Sequence, residues 1–171
     1  MAQVVVDTGP VSTFARTRSL GLLEARIGGR ALMPAEVRLE IERGVIRYPD
    51  LAEVLRVTWF EQLAPISDPA VLLELARTRL AVAGPTRDPH KNLGEAAAIV
   101  IAQHLKVDIL IDDFDGANLA RARRLRVTDT LELLREAVAF GEMTCQETLR
   151  LYEAMRQVSR LPTVSRRDLC N

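Results

Sequence analysis

The sequence predicts an α/β fold, in which helices cover both faces of a central parallel sheet. Two short runs of consecutive apolar residues, Val4–Val6 and Ile109 to Ile111, are typical of strands that are buried on both faces. Segments with helical patterning separate the predicted strands along the chain. Alternation of such strands with helices favours parallel pairing, since each strand then needs a helical crossover to reach the next.

The elements follow in order from local signals. The predicted strands are 4–6, 31–33, 54–60, 108–112 and a minimal strand at 127. The predicted helices are 10–16, 19–26, 34–43, 69–82, 93–104, 117–125, 129–140 and 144–157. Glycines at 28–29, 44 and 141 end three of these helices, and Thr144 with Glu147 forms a capping-box pattern for the last one. The segments 83–92 and 162–171 lack periodicity and are expected to be irregular.

Length and composition indicate one globular domain spanning 1–171, with 142–171 as a possible appendage for a partner or a dimer. The 171 residues are 48% apolar, which suffices for a core and excludes general disorder. The 23 basic residues balance the 23 acidic ones, so no global field attracts nucleic acid or anionic lipid. Contact with nucleic acid therefore requires a local patch or bound cations.

The cysteines and the apolar runs predict a cytoplasmic protein without a membrane partner. Cys145 and Cys170 fit neither a zinc pattern nor a disulfide framework, so a reducing compartment is expected. No signal-peptide pattern follows Met1. The longest apolar run, 95–103, is far too short to span a bilayer.

Acidic residues end the two apolar strands. Asp7 follows the first, and Asp112 with Asp113 ends the other. Ligands of parallel α/β sheets bind outside the carboxyl ends of the strands, so these acids converge if the two strands are neighbours. Adjacent carboxylates repel each other and favour a cation, which makes the Asp112–Asp113 pair the strongest single signal.

Each remaining acid also has a purely local interpretation. Asp7 could cap a turn, and Glu40 with Glu36 could form a solvated helix face. Glu95 could be the reciprocal capping partner of Asn92. As a set, however, like charges about 4 Å apart cost on the order of 4 kcal/mol per pair at an effective dielectric of about 20. A divalent cation relieves this repulsion, and oxygen ligands without His or Cys suit Mg²⁺ or Mn²⁺ and phosphoryl chemistry.

Four motifs in order resemble the PIN-domain family of metal-dependent ribonucleases, which includes the VapC-type toxins. The motifs are VVVDTGP, MPAEVRLEIERG, NLGEAAAIVIA and ILIDDFDG. The stretch VTDTLELLREAVAFGEMT resembles the strand and helix that follow them in the family. The resemblance covers nearly the whole chain and implies a three-layer α/β/α sandwich. It also implies an endoribonuclease in which a carboxylate orients a metal-activated water for in-line attack on a phosphodiester.

By position, the resemblance assigns the site residues. It implies the catalytic acids Asp7, Glu40 and Glu95, with a fourth from Asp112 or Asp113, of which Asp112 matches the family best. The candidate ligands of Mg²⁺ or Mn²⁺ are Asp7, Glu95, Asp112 and Asp113, and which of the last two binds is left open. Thr8 would orient Asp7 or a water beside the RNA. The chain departs from the family at 116–118, where Gly-Ala-Asn replaces the usual Gly-Arg step, and only Gly94 precedes the glutamate. Asp115 is an additional charge that the family pattern does not require.

The RNA substrate needs positive charge near the scissile phosphate. The run RARRLR supplies it directly after the strand-end acids, with Arg121 and Arg124 as candidate RNA contacts, although a solvated helix flank explains the run equally well. Aromatic residues make up only 4% of the chain, so specificity by base stacking is not expected. The family resemblance further implies a cognate antitoxin as partner, and a homodimer is compatible with it.

Two other functions remain open at this point. Asp113 and Asp115, in DFDG, match the nucleophile and acid of a haloacid-dehalogenase-like phosphatase, although the motif comes late in the chain. The chain could also be a non-catalytic PIN-like module that binds RNA or acts as a scaffold. His90 and His104 are interpreted as structural or solvent-exposed residues.

Overall fold

The structure is a computed structural model that describes residues 3–83 and 92–170. Most of the loop predicted at 83–92, including His90, lies outside the described residues. Within them, five parallel strands form one sheet with the order β3-β2-β1-β4-β5. The strands are β1 Val4–Val6, β2 Ala31–Met33, β3 Glu61–Gln62, β4 Asp108–Leu110 and β5 Val127–Thr128.

Helices pack on both faces of this sheet and confirm the three-layer α/β/α prediction. The helices are α1 Thr8–Arg16, α2 Leu20–Ile27, α3 Ala35–Gly44, α4 Pro69–Ala83, α5 Leu93–Leu105, α6 Phe114–Ala122, α7 Thr130–Ala139, α8 Cys145–Val158 and α9 Arg166–Cys170. Alternate side chains of β1 point to opposite layers: Val4 and Val6 join one core cluster, and Val5 joins the other. This two-sided burial explains why β1 is continuously apolar.

The prediction of a strand at 54–60 is wrong. A 3₁₀ helix at Pro49–Glu53 leads into turns, and the strand on this edge is the exposed pair Glu61–Gln62. Val54 and Phe60 are buried in the core as predicted for apolar residues, but without strand pairing. Pairing with β2, which aligns Leu32 with Glu61, decides where this strand lies, and composition alone does not reveal that pairing.

The prediction that Cys145 and Cys170 do not belong to a disulfide framework is also wrong. Cys145, at the start of α8, and Cys170, at the end of α9, form a disulfide, with their Cα atoms 5.4 Å apart. The two cysteines are 25 positions apart and gave no local signal, because packing of α9 against α8 brings them together. The segment expected to be irregular thus contains α9, whose Leu169 is buried in the main core.

In the long helix α4, Leu75 is buried, whereas Leu72 and Leu80 are exposed. Among the described residues, no helix has both the length and the apolar character that crossing a bilayer requires.

Candidate active site

The site lies where β1 and β4 end. These strands are parallel neighbours, with Val6 paired to Leu110, and the Asp7 amide donates to the Leu110 carbonyl at 3.0 Å. The chain therefore leaves both strands at the same edge of the sheet, next to each other. Because β1 and β4 are neighbours, Asp7 and the acids after β4 converge at one edge of the sheet.

Asp7 is both a helix cap and a member of the acidic cluster. Its carboxylate accepts a hydrogen bond from the Gly9 amide at 3.2 Å and so caps α1. The residue is only 6% exposed, and this burial, together with the charge of Glu40, raises the pKa of Asp7 to about 7. The two interpretations of Asp7, a local cap and a carboxylate at a charged site, thus hold together.

Glu40 reaches from α3 to two other helices. Its carboxylate accepts a hydrogen bond from the Thr8 hydroxyl at 2.7 Å and another from the Gly94 amide at 2.8 Å. The interpretation of Glu40 as part of a solvated face is therefore wrong. A side chain at 94 would disturb this contact, because a Cβ there would lie 2.6 Å from Glu40 Oε2 and 2.8 Å from the Thr8 hydroxyl.

Glu95 is buried at the start of α5, and the capping interpretation is wrong for it as well. Asn92 has a left-handed backbone and makes no side-chain capping bond. Glu95 is 7% exposed, and burial together with the charges of Asp7 and Asp113 raises its pKa to about 8. Within the described part of the chain, its Oε1 is buried and has no hydrogen-bond partner. Gly116 packs directly against this oxygen.

Thr130 holds Asp112 in place. The Thr130 amide and hydroxyl each donate to one oxygen of the Asp112 carboxylate, both at 2.7 Å. Burial raises the pKa of Asp112 to about 6, although the two bonds from Thr130 act in the opposite direction. Sequence reasoning missed Thr130; the threonine directly after Asp129, the cap of α7, is the feature that could have indicated it.

Asp113 has a different environment from Asp112. It is exposed and caps α6, accepting hydrogen bonds from the amides of Asp115 and Gly116, each at 3.0 Å. Its charge nevertheless acts on Glu95 and helps to raise the pKa of that residue. Asp115 is exposed, and its backbone amide donates to the Asp113 carboxylate.

A cavity of about 520 Å³ opens beside the acids. Asp7, Asp112 and Asp113 line it, together with Asp129 and Arg121. Sequence reasoning also missed Asp129, whose charge helps to raise the pKa of Asp112. Glu40 on α3 and Glu95 on α5 interact electrostatically with Asp7. The charge of Glu40 raises the pKa of Asp7, and the charges of Asp7 and Glu40 raise the pKa of Glu95.

The arginines of the RARRLR run diverge. Arg121 lines the acidic cavity, whereas Arg124 lines another cavity beside Lys106 and Asp108, where β4 begins. Arg123 binds Glu74 and Thr78 of α4 and is thus tied to the fold. His104 contacts the same Glu74 at 2.8 Å, which agrees with a structural role.

The family model DUF3368, described as a PIN domain, matches residues 3–161. The chain belongs to the PIN-domain family. PIN domains are generally nucleases and typically use divalent metal ions. Membership of this family removes the basis for a haloacid-dehalogenase-like phosphatase. A comparison with curated proteins found no match to the chain.

The donor chemistry of this PIN domain suits a hard divalent cation. Its clustered acids present only oxygen atoms, and among the described residues the buried Oε1 of Glu95 has no hydrogen-bond partner. As the side chains stand, no three His, Cys, Asp or Glu residues between 3 and 83 or 92 and 170 are arranged to hold a metal ion. A cation at this site would relieve the repulsion between these acids.

We expect Gly94→Ala to destabilise the PIN domain by about 1–3 kcal/mol, although alanine normally favours a helix over glycine. The new Cβ collides with Glu40 Oε2 and the Thr8 hydroxyl. Urea unfolding measures this effect. The matched control is Gly21→Ala in α2, where a Cβ meets nothing within 4 Å, so stability should be unchanged or slightly higher. Equal effects of the two changes would contradict a tight Glu40–Thr8–Gly94 contact.

Proposed function

We propose that this PIN domain is an endoribonuclease that depends on Mg²⁺ or Mn²⁺. The observation that carries the proposal is the cluster of buried carboxylates at the ends of β1 and β4. The pKa values of Asp7, Glu95 and Asp112 are all raised, to about 7, 8 and 6. Burial is the largest cause of each rise, and neighbouring acids add to it. Perturbed carboxylates of this kind concentrate at functional sites.

The proposed roles follow from the contacts. Asp7, Glu95, Asp112 and Asp113 are the proposed ligands, and Glu40 is the further catalytic acid. When bound, Mg²⁺ or Mn²⁺ supplies the charge that activates a water and stabilises the phosphate and the leaving oxygen. Thr8 and the Gly94 amide fix the direction of the Glu40 carboxylate, and Thr130 fixes that of Asp112.

Metal dependence tests the proposal directly. Protein freed of metal with EDTA and then dialysed should leave a labelled single-stranded RNA intact and should cut it internally once Mn²⁺ or Mg²⁺ is added. Calorimetric titration with Mn²⁺ should in parallel show saturable binding. Cleavage that persists at excess EDTA, or absence of both cleavage and Mn²⁺ binding, would refute a metal-dependent nuclease.

The biological setting belongs to the same proposal. The resemblance to VapC-type toxins favours a toxin with a cognate antitoxin as partner, and a homodimer is compatible with it. We place the protein in the cytoplasm, where its RNA substrate would be found. The Cys145–Cys170 bond counts against that location, because disulfides are rare in a reducing compartment.

A non-catalytic, RNA-binding PIN domain is the second candidate. It is favoured by the absence, in the described segments, of three acidic side chains arranged around one point. In that case Mn²⁺ would bind weakly, and RNA would bind without being cut. The calorimetric titration above separates the two candidates.

A further inference from the structure

The segment that follows α8 forms a wall of the acidic cavity. Ser159, Arg160, Leu161 and Pro162 line it together with Asp7 and Asp112 from the strand ends. This part of the chain lay outside every motif of the sequence. A cavity of about 520 Å³ is within the range of small-ligand sites, so the wall and the acids can contact the same bound molecule.

Several contacts hold this wall in place. The Arg16 side chain donates to the Val158 carbonyl at 2.6 Å, and the Tyr152 hydroxyl donates to the Pro162 carbonyl at 2.7 Å. The same Tyr152 oxygen accepts a hydrogen bond from the Val164 amide at 3.0 Å. Leu161 is buried in the main core. Arg160 therefore extends from a fixed backbone, as a binding residue should.

Two arginines on this cavity lack acidic partners. Arg160 is exposed at the wall, and Arg121 extends from α6. Across the described residues, neither guanidinium makes an ion pair or a side-chain hydrogen bond, although four aspartates line the same cavity. Side chains that served only to neutralise the acids would pair with them. Unpaired guanidinium groups remain available for the oxygens of a phosphate.

An exposed aromatic ring completes the arrangement. Phe114 is 75% exposed, lines the cavity and begins α6 directly after the Asp113 cap. A single exposed apolar residue is ordinary by itself, but this one lines the same cavity as the acids and the two free arginines. Aromatic faces stack on nucleobases of any sequence, and only an unpaired base exposes its face for such stacking.

We propose that Phe114, Arg121 and Arg160 form a binding subsite for single-stranded RNA, with the base on Phe114 and the phosphates on the two arginines. The proposal rests on RNA as the substrate of the proposed nuclease. It assigns to the chain a stacking residue that composition did not suggest, and it makes the segment after α8 part of the substrate site. A base-paired strand would not engage Phe114 in this way.

Binding is the direct test, and it needs no cleavage. Fluorescence anisotropy of a labelled single-stranded RNA is measured with the full chain carrying Asp7→Asn, which removes turnover. Adding Phe114→Ala should raise the Kd about tenfold. Adding Arg160→Ala should raise the Kd severalfold and reduce the slope of log Kd against log salt by about 0.7, whereas Arg160→Lys should keep that slope.

The chain offers a matched control for each change. Phe140 is 70% exposed and Arg167 is exposed on α9, and neither lines the cavity. Phe140→Ala and Arg167→Ala should leave the Kd within about twofold of the parent. Thermal melting confirms that each variant is folded.

Different results would overturn different conclusions. If Phe114→Ala and Arg160→Ala bind RNA like the parent, or if both only lower Mn²⁺ affinity, the subsite is refuted. If duplex RNA binds as tightly as single strands, the stacking role is refuted. If the predicted losses of binding appear but the unmodified chain never cuts RNA with Mn²⁺, the subsite stands and the nuclease function falls.

Discussion

Replacement of Asp7 by asparagine should reduce Mn²⁺-dependent RNA cleavage by at least about 10³-fold, which corresponds to roughly 4 kcal/mol of transition-state stabilisation. Asp7 is the acid on which the cluster centres, since it interacts electrostatically with Glu40, Glu95 and Asp112. Asparagine has nearly the same shape and can still accept the hydrogen bond from the Gly9 amide. The fold should therefore persist while the negative charge is lost. Initial rates on a labelled RNA, at saturating Mn²⁺, measure the effect.

Asp108→Asn is the matched control for this loss. Asp108 begins β4, at the opposite end of the strand from Asp112, and faces Arg126 at 4.0 Å. Its replacement should leave the cleavage rate within about twofold of the unmodified protein. Cleavage by Asp7→Asn at the unmodified rate would mean that the activity comes from a contaminant or from another site.

The second large effect is on stability. Without metal, the protein should become less stable as the pH rises from about 5 to about 8.5. The folded-state pKa values of Asp7, Glu95 and Asp112 lie above their ordinary values of about 4, so the folded state holds protons that the unfolded state has released. The favourable contribution is complete below about pH 4 and is lost as the pH rises through about 6 to 8.

Asp7→Asn should reverse part of this loss. From a pKa of about 7 against 3.8, the Asp7 charge alone destabilises the folded state by on the order of 4 kcal/mol at high pH. In EDTA at pH 8.5, the variant should therefore melt higher than the unmodified protein, by about 10 °C. At pH 5 the difference should shrink to roughly 4 °C, because Asp7 is then protonated in the folded state but already largely ionised in the unfolded state. Thermal melts at both pH values measure it.

The effect of Mn²⁺ on stability complements the melts in EDTA. Mn²⁺ at about 100 times its Kd should stabilise the unmodified protein by about 2.7 kcal/mol at pH 8.5, and Asp7→Asn much less. A protein whose stability in EDTA rises between pH 5 and 8.5 would contradict protonation of the buried acids. A gain from Mn²⁺ that is equal in both proteins would place the cation away from Asp7.

Local signals were sufficient for most of the fold. The buried strands Val4–Val6 and Ala31–Met33 follow from short apolar runs, and α8 begins at the predicted capping box of Thr144 and Glu147. These features depend on neighbours within about four residues, so the chain itself carries the information. The acids that end β1 and β4 were predicted for the same reason, because the position of a strand end is a local property.

The hydrogen-bond partners of the acids could not be predicted from local signals. Glu40 binds Thr8 and Gly94, which lie 32 and 54 residues away, and Asp112 binds Thr130, 18 residues away. The local patterns alone were also compatible with Glu40 on a solvated helix face and with Glu95 as a capping partner. Neither alternative could be rejected from sequence, since burial and hydrogen bonding of a carboxylate depend on which helices pack against it.

The sequence by itself thus determined most of the strands and helices and the acids at the sheet edge. Only the tertiary structure decided that Glu61–Gln62, and not 54–60, pairs with β2, that Cys145 meets Cys170, and that Arg160 reaches the acidic cavity. The physical reason is the same in each case. Backbone pairing, disulfide geometry and cavity walls join residues that are distant along the chain, and no local pattern records such contacts.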